Sequence, residues 1–136
     1  MKTYSGVKAH QKFAGGWKTV CTSTVLGALG IPPEAYHYGS TVARYSAVLR
    51  NHGYSVRSRD SHTKKATTVG AVRALLQKGG ADKWGDPSST KYLLRVVCGK
   101  ETHLMTLGRD GETLVDTAPR KVDRRKVLKV LAVFPK

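Results

Sequence analysis

The sequence predicts an α+β domain in which N-terminal helices pack on a C-terminal antiparallel sheet. Up to about residue 80, apolar residues mostly recur at helical spacing and glycines stand where helices would end. Beyond residue 90 the spacing changes to the alternation that is typical of strands. Helices that precede strands, instead of alternating with them, indicate the α+β class and not a parallel α/β sheet.

The first two helices are predicted from their apolar faces and from their C-terminal stop signals. One helix should run from Thr19 or Cys21 to Leu29, because Gly30 and a proline pair follow it. The second should begin near residue 40 and end at the Asn51-His52-Gly53 cap signal. Its buried face would consist of Val42, Tyr45, Val48 and Leu49. The alternating residues 54–58 then indicate a short strand.

A third helix is predicted over Val69 to Lys78, with Thr67 or Thr68 as its N-cap and the Gly79-Gly80 pair as its end. We expect Val72, Leu75 and Leu76 to be its buried residues. Residues 81–90 are rich in glycine, proline, serine and aspartate, which predicts a surface loop.

Four strands are predicted after this loop, and they complete a single domain over residues 1–136. They are Tyr92–Cys98, Thr102–Leu107, Glu112–Asp116 and Val127–Phe134. The residues Gly108-Arg109-Asp110-Gly111 are typical of a hairpin turn between the second and the third. Neither an internal repeat nor a linker divides the chain.

Composition argues against several classes of protein. Two cysteines are too few for a disulfide framework in 136 residues, and no Cys-x-x-Cys pair or spaced Cys/His set indicates a metal site. No apolar run is long enough to span a membrane, and the first residues lack the apolar segment of a secretion signal. We therefore expect a protein without cofactor or metal that resides inside the cell.

A formal net charge of +15 favours a polyanionic partner, either nucleic acid or an acidic protein. The alternative is a highly soluble surface with no dedicated ligand. The basic residues are densest near the C-terminus, and the candidates for contact with nucleic acid are Arg120, Lys121, Arg124, Arg125 and Lys126.

Cys21, His103 and Asp116 are candidates for an acyl-transfer triad. A thiol at the start of a helix gains thiolate character from the helix dipole, although a free cysteine is also often simply a buried small residue. His103 opens the apolar stretch His-Leu-Met-Thr-Leu at the start of an alternating strand, where it could act as a general base or lie on the surface. Asp116 closes the next strand and could orient the imidazole through Nδ1, or bond the following turn.

Two further residues complete the candidate site. Cys98 is a rival nucleophile only five residues from His103, but the apolar strand that it ends predicts a packed core cysteine. An oxyanion hole would take one donor from the backbone N–H of Cys21. Gln11, the only side-chain amide ahead of Cys21, is the candidate for a second donor, or else a solvated surface residue.

The order of these segments resembles the papain-like cysteine peptidase fold in the minimal form found in small bacteriophage proteins. It is also similar to transglutaminase-like and bacteriocin-processing peptidases. The resemblance rests on Cys21 opening a helix, the Gly53-Tyr54 turn after a second helix, and the segments His-Leu-Met-Thr-Leu and Gly-Glu-Thr-Leu-Val-Asp-Thr-Ala-Pro. The chain departs from the family at Gly15, where the family has the glutamine of the oxyanion hole.

The resemblance implies a thiol hydrolase with Cys21 as nucleophile, His103 as base and Asp116 as orienting group. A peptide or isopeptide bond in a protein is the implied substrate, and the positive net charge favours an acidic protein. Deamidation or transamidation would use the same residues. The cytoplasm of an infected bacterial cell, or the virion, is the expected location. The alternative function is a catalytically silent basic protein that binds a host factor or nucleic acid.

Overall fold

The computed structural model describes residues 25–31, 42–116, 120 and 122–136. Residues 25–28 are helical. The elements that follow in chain order are α1 (Val42–Asn51), β1 (Tyr54–Ser58), α2 (Asp60–Thr63), α3 (Val69–Gln77), α4 (Gly80–Lys83), β2 (Lys91–Cys98), β3 (Glu101–Leu107), β4 (Thr113–Val115) and β5 (Val127–Pro135). The predicted α+β class is confirmed.

The five described strands form one antiparallel sheet in the order β1-β5-β2-β3-β4. The C-terminal strand β5 lies inside the sheet, between β1 and β2. As a result β1, which follows the N-terminal helices in the chain, pairs with the last strand. The hairpin of β2 and β3 is regular from Tyr92 opposite Leu107 to Cys98 opposite Glu101.

Helices cover both faces of this sheet. Side chains on successive strand residues point to opposite faces, and in these strands both sets are apolar. On what we call the α1 face, Leu93, Leu104 and Leu131 of the sheet pack with α1 and residues 25–31. On the α3 face, Leu94, Met105 and Val130 pack with α3 and α4. The sheet is therefore a central layer with an apolar core on each side.

The predicted C-terminal ends of three helices and the predicted N-cap of α3 are confirmed by the backbone conformation and hydrogen bonds at those residues. Gly30, Gly53 and Gly79 adopt φ of +81°, +89° and +83°, as expected of glycines that follow a helix. The Thr68 hydroxyl accepts a hydrogen bond of 3.2 Å from the backbone N–H of Ala71 and so caps α3. The start of the first helix lies outside the described residues.

The predicted buried faces of the helices are confirmed in part. Tyr45 and Leu49 of α1 are buried and Val48 is half-buried, whereas the side chain of Val42 lies outside the described part of the chain. In α3, Val72 and Leu76 are buried. Leu75 is half-buried and packs against the edge of the α3-face core, so its predicted burial is confirmed only in part.

The prediction of a surface loop over residues 81–90 is confirmed only in part. Residues 84–90 lie outside any helix or strand, and six of the ten residues are exposed. The remainder differs from the prediction. Residues 80–83 form α4, and Ala81, Asp86 and Thr90 are buried. The Arg59 guanidinium forms an ion pair with the Asp86 carboxylate, whose Oδ2 also accepts a hydrogen bond of 2.5 Å from the Tyr92 hydroxyl. Because these partners are distant in sequence, local composition does not reveal them.

This network changes the titration of its members. Burial acts to raise the pKa of Asp86, but the hydrogen bonds from Arg59 and Tyr92 outweigh it, and the net pKa is lowered. Burial, followed by the hydrogen bond to the Asp86 carboxylate, raises the pKa of Tyr92. Asp86 is therefore an ionised anchor for the segment between α4 and β2.

Within the described residues, no helix is both long and apolar enough to cross a membrane.

Candidate active site

The structure brings His103 and Asp116 together. His103 lies on β3 and Asp116 directly follows β4, which pairs with β3. The two side chains are 8% and 3% exposed, and His103 Nε2 is 2.9 Å from Asp116 Oδ1. The predicted contact is confirmed, but the predicted ring nitrogen is wrong: the carboxylate contacts Nε2, and Nδ1 is on the other side of the ring.

Asp116 also binds Arg125, one of the residues whose sequence context predicts contact with nucleic acid. The second oxygen, Oδ2, accepts a hydrogen bond of 2.7 Å from Arg125 Nη2, and the Arg125 side chain is 7% exposed. Arg125 is therefore unavailable to an external polyanion, and that assignment is wrong. With both oxygens engaged, the Asp116 carboxylate is held in one orientation against the imidazole.

Asp123 holds Arg125 from the other side. Arg125 donates from Nε to Asp123 Oδ1 at 2.8 Å and from Nη2 to Asp123 Oδ2 at 2.5 Å, which is the two-point geometry that arginine forms with carboxylates. The hydrogen bond to Asp123, and then that to Asp116, raise the pKa of Arg125 against the effect of burial. Arg125 is thus cationic at any physiological pH, and it favours the ionised form of Asp116.

Sequence reasoning did not find this array, although one signal was present. Asp123 is the only acidic residue after Asp116, and it lies within the basic segment 120–129. A lone carboxylate two residues from an arginine is a local partner for that arginine. Such a signal indicates that Arg125 differs from its basic neighbours, but it does not identify Asp116 as the second partner.

The N-terminus of α3 positions the segment that carries Arg125. The backbone N–H groups of Val69 and Gly70 donate to the carbonyls of Arg125 and Asp123, each at 3.0 Å. These amides belong to the first turn of the helix, where no intrahelical acceptor exists. The Val127 N–H in turn donates to the Thr67 carbonyl at 2.9 Å. The segment is therefore held on both sides of Arg125.

His103 lies on the α3 face of the sheet. It pairs with Val96 and is two residues from Met105, both members of the α3-face core. The described end of the first helix instead contributes Val25 and Leu26 to the α1-face core. Cys21 and Gln11, the predicted nucleophile and oxyanion donor, lie outside the described residues.

Cys98 is not the core cysteine that the sequence predicts. It is a half-buried free thiol at the last residue of β2, opposite Glu101. The alternation of β2 places it on the same face as Val96 and His103, at a diagonal position that typically separates Cα atoms by about 7–8 Å. Arg120 Nη2 lies 3.3 Å from Cys98 Sγ. The Cys98 thiol is therefore partly accessible and lies beside an arginine.

Three of the other residues predicted to contact nucleic acid lie on the surface. Arg120, Arg124 and Lys126 are exposed, and Lys121 lies outside the described residues. Among the residues that the structure describes, no three His, Cys, Asp or Glu side chains are grouped so that they could hold a metal ion. The described part of the site thus consists of a buried imidazole, a carboxylate that contacts it, and an arginine that contacts the carboxylate.

Comparison with protein-family models, with curated proteins and with solved structures finds no match to this chain.

Proposed function

We propose that the protein is a thiol hydrolase of papain-like fold, with Cys21 as nucleophile, His103 as general base and Asp116 as orienting group. The observation that supports it is the buried hydrogen bond of 2.9 Å between His103 Nε2 and Asp116 Oδ1. An imidazole held by a carboxylate is the base-and-orienter half of a catalytic triad. The helix-then-sheet order supports the papain-like assignment.

The proposed reaction uses the ring nitrogen that faces away from Asp116. His103 Nδ1 takes the proton of the thiol, and the thiolate attacks the carbonyl carbon of a peptide or isopeptide bond. The C–S bond forms, and the C–N bond breaks as the imidazolium protonates the leaving amine. Water then attacks the thioester with His103 as base, which releases the acid and restores the thiol. Asp116 stays ionised throughout and stabilises the imidazolium.

Labelling with iodoacetamide, followed by mass spectrometry of the modified peptides, tests this proposal. An ordinary thiol with a pKa near 8.5 is only about 3% thiolate at pH 7, so full ionisation raises the rate up to about 30-fold. We expect Cys21 to react that much faster than a model thiol. Cys21→Ala should abolish the fast label, and His103→Gln should return Cys21 to the ordinary rate.

Cys98→Ala is the matched control, and it should leave the fast label intact. If the fast label resides on Cys98 and survives Cys21→Ala, the assigned nucleophile is wrong. If both cysteines react at the ordinary rate, or if His103→Gln changes nothing, the hydrolase is excluded. Circular dichroism of each variant ensures that unfolding does not account for the result.

A second candidate function is the binding of a polyanion without catalysis. The observation that favours it is the exposure of Arg120, Arg124 and Lys126 in a chain whose net charge is +15. This candidate needs no activated thiol. Ordinary reactivity of both cysteines, together with salt-sensitive retention on immobilised DNA, is its expected result.

A further inference from the structure

A groove of about 380 Å³ lies between α2, the turn that follows it, and α3. Its volume is within the range of small-molecule sites, about 300–1,000 Å³. Among the residues that the structure describes, neither His103 nor Asp116 lines it. It is therefore a candidate binding site in addition to the His103–Asp116 pair.

The rim of the groove is strongly basic. Lys64 and Lys65 contribute from the turn after α2, and Lys78 contributes from the end of α3. All three side chains are exposed, and no acidic residue is among the described residues that line the groove. Three ammonium groups without a local carboxylate attract an anion, and phosphate is a ligand that lysine binds as a point charge.

The floor of the groove is apolar and consists mostly of small side chains. Ala71, Ala74 and Leu75 lie at helical spacing on α3, and all three are half-buried. Leu75, which the sequence predicts to be a core residue, is only half-buried because part of its side chain faces the groove. Small side chains leave a flat surface that a planar ring can contact closely.

The side wall of the groove includes an aromatic ring that is held in place. His62 lines the groove and stacks on Trp84, with ring centroids 5.6 Å apart and planes at 29°. Trp84 packs edge-on against Tyr92, with centroids 5.7 Å apart, and the Tyr92 hydroxyl bonds the Asp86 carboxylate. The exposed imidazole thus rests on a series of buried contacts, so it is preorganised for stacking.

We propose that this groove binds single-stranded nucleic acid and seats one nucleotide. The base would lie between the imidazole of His62 and the apolar floor, while Lys64, Lys65 and Lys78 neutralise neighbouring phosphates. The net charge of +15 favours a polyanionic strand over a single small anion. An acidic peptide would use the lysines but would gain nothing from a preorganised ring, so the strand accounts for more of the site.

Fluorescence anisotropy of a labelled oligothymidylate of about 12 nucleotides tests the proposal on the full chain, between roughly 50 and 200 mM salt. The groove variant replaces Lys64, Lys65 and Lys78 with alanine. The matched control replaces Arg57, Lys100 and Lys136 with alanine; these residues are also exposed and do not line the groove, so both variants lose three positive charges. Thymidine monophosphate and a poly-glutamate peptide are the competing ligands.

We expect the groove variant to lose about tenfold or more in affinity and the control variant much less. The slope of log affinity against log salt should fall by about 2 in the groove variant, because each single-strand phosphate contact contributes roughly 0.7. His62→Ala should lose about fivefold or more through stacking, whereas His52→Ala, an exposed histidine elsewhere, should lose nothing.

Three results would overturn the proposal. Equal losses in the groove and control variants would show that only the overall charge matters. Competition by thymidine monophosphate as strong as that by the unlabelled oligonucleotide would show that the strand is irrelevant. Tighter binding of the poly-glutamate peptide would assign the groove to an acidic protein partner.

Discussion

Arg125 stabilises two buried carboxylates at once, so its replacement by methionine should be among the most destabilising changes in the chain. Methionine provides a shorter, unbranched apolar side chain that donates no hydrogen bond. The change removes contacts of 2.7 Å to Asp116 and of 2.8 and 2.5 Å to Asp123. Both carboxylates, 3% and 6% exposed, would then lack the cation that offsets their desolvation.

The expected loss follows from what such an array contributes. Removing one partner of a buried ion pair typically costs about 3–5 kcal/mol, since the other partner stays buried and uncompensated. The neighbouring Arg124 is exposed, and its replacement by methionine should change stability by no more than about 0.5 kcal/mol. The two variants carry the same charge change one residue apart, which isolates the effect of burial.

Urea unfolding, followed by circular dichroism, measures the difference. With a slope near 2 kcal/mol per molar urea, the midpoint for Arg125→Met should fall by about 2 M while the slope stays constant. Adding Asp123→Asn removes one stranded charge, so the double variant should recover part of the loss. A fall of less than about 0.5 M, or equal falls for Arg124→Met and Arg125→Met, would refute the assigned role.

Two further predictions concern stability. Because the pKa of Asp86 is lowered in the folded state, its stabilising effect is present above the unfolded pKa, about 4, and disappears as pH falls through the folded value. Asp86→Asn should therefore lower the Tm at pH 7 and flatten its decline below about pH 4; an unchanged decline in thermal melts would contradict this. Gly111→Ala should cost about 2 kcal/mol or more, because φ is +84° and a Cβ would lie 2.7 Å from a backbone carbonyl of α3. Gly99→Ala is the control, because φ is +63° there and a Cβ would have no neighbouring atom within 4 Å. It should lower the free energy of unfolding in urea by about 1 kcal/mol. Equal losses for the two variants would exclude an effect of the contact with α3.

The two short helices show where prediction from sequence failed. The segments of α2 and α4 are four residues each, too short to display a helical period, and their stability depends on tertiary contacts. The carboxylate of Asp86 is anchored by Arg59, and the ring of Trp84 packs on Tyr92. Glycine, proline and serine in residues 81–90 correctly indicate turns, but they do not indicate burial.

The candidate site shows the same division. The strand positions of His103 and Asp116 were predicted from alternation and from the hairpin between them, and proximity followed because β3 and β4 pair. The sequence predicted neither the ring nitrogen of His103 that contacts Asp116 nor Arg125 as the second partner of Asp116. Both depend on how residues 123–127 pack on the start of α3, a contact that spans more than 50 residues of sequence.

The amino-acid sequence by itself determined the class of fold, the main helices and strands, and the positions of His103 and Asp116 at neighbouring strands. These depend on side-chain periodicity, caps and turns, which act over a few residues. Only the tertiary structure decided that Arg125 is an internal counter-ion, that Cys98 is half-buried on the face of His103, and that three lysines and His62 surround one groove. Those facts arise from contacts between distant segments, whose geometry no local pattern encodes.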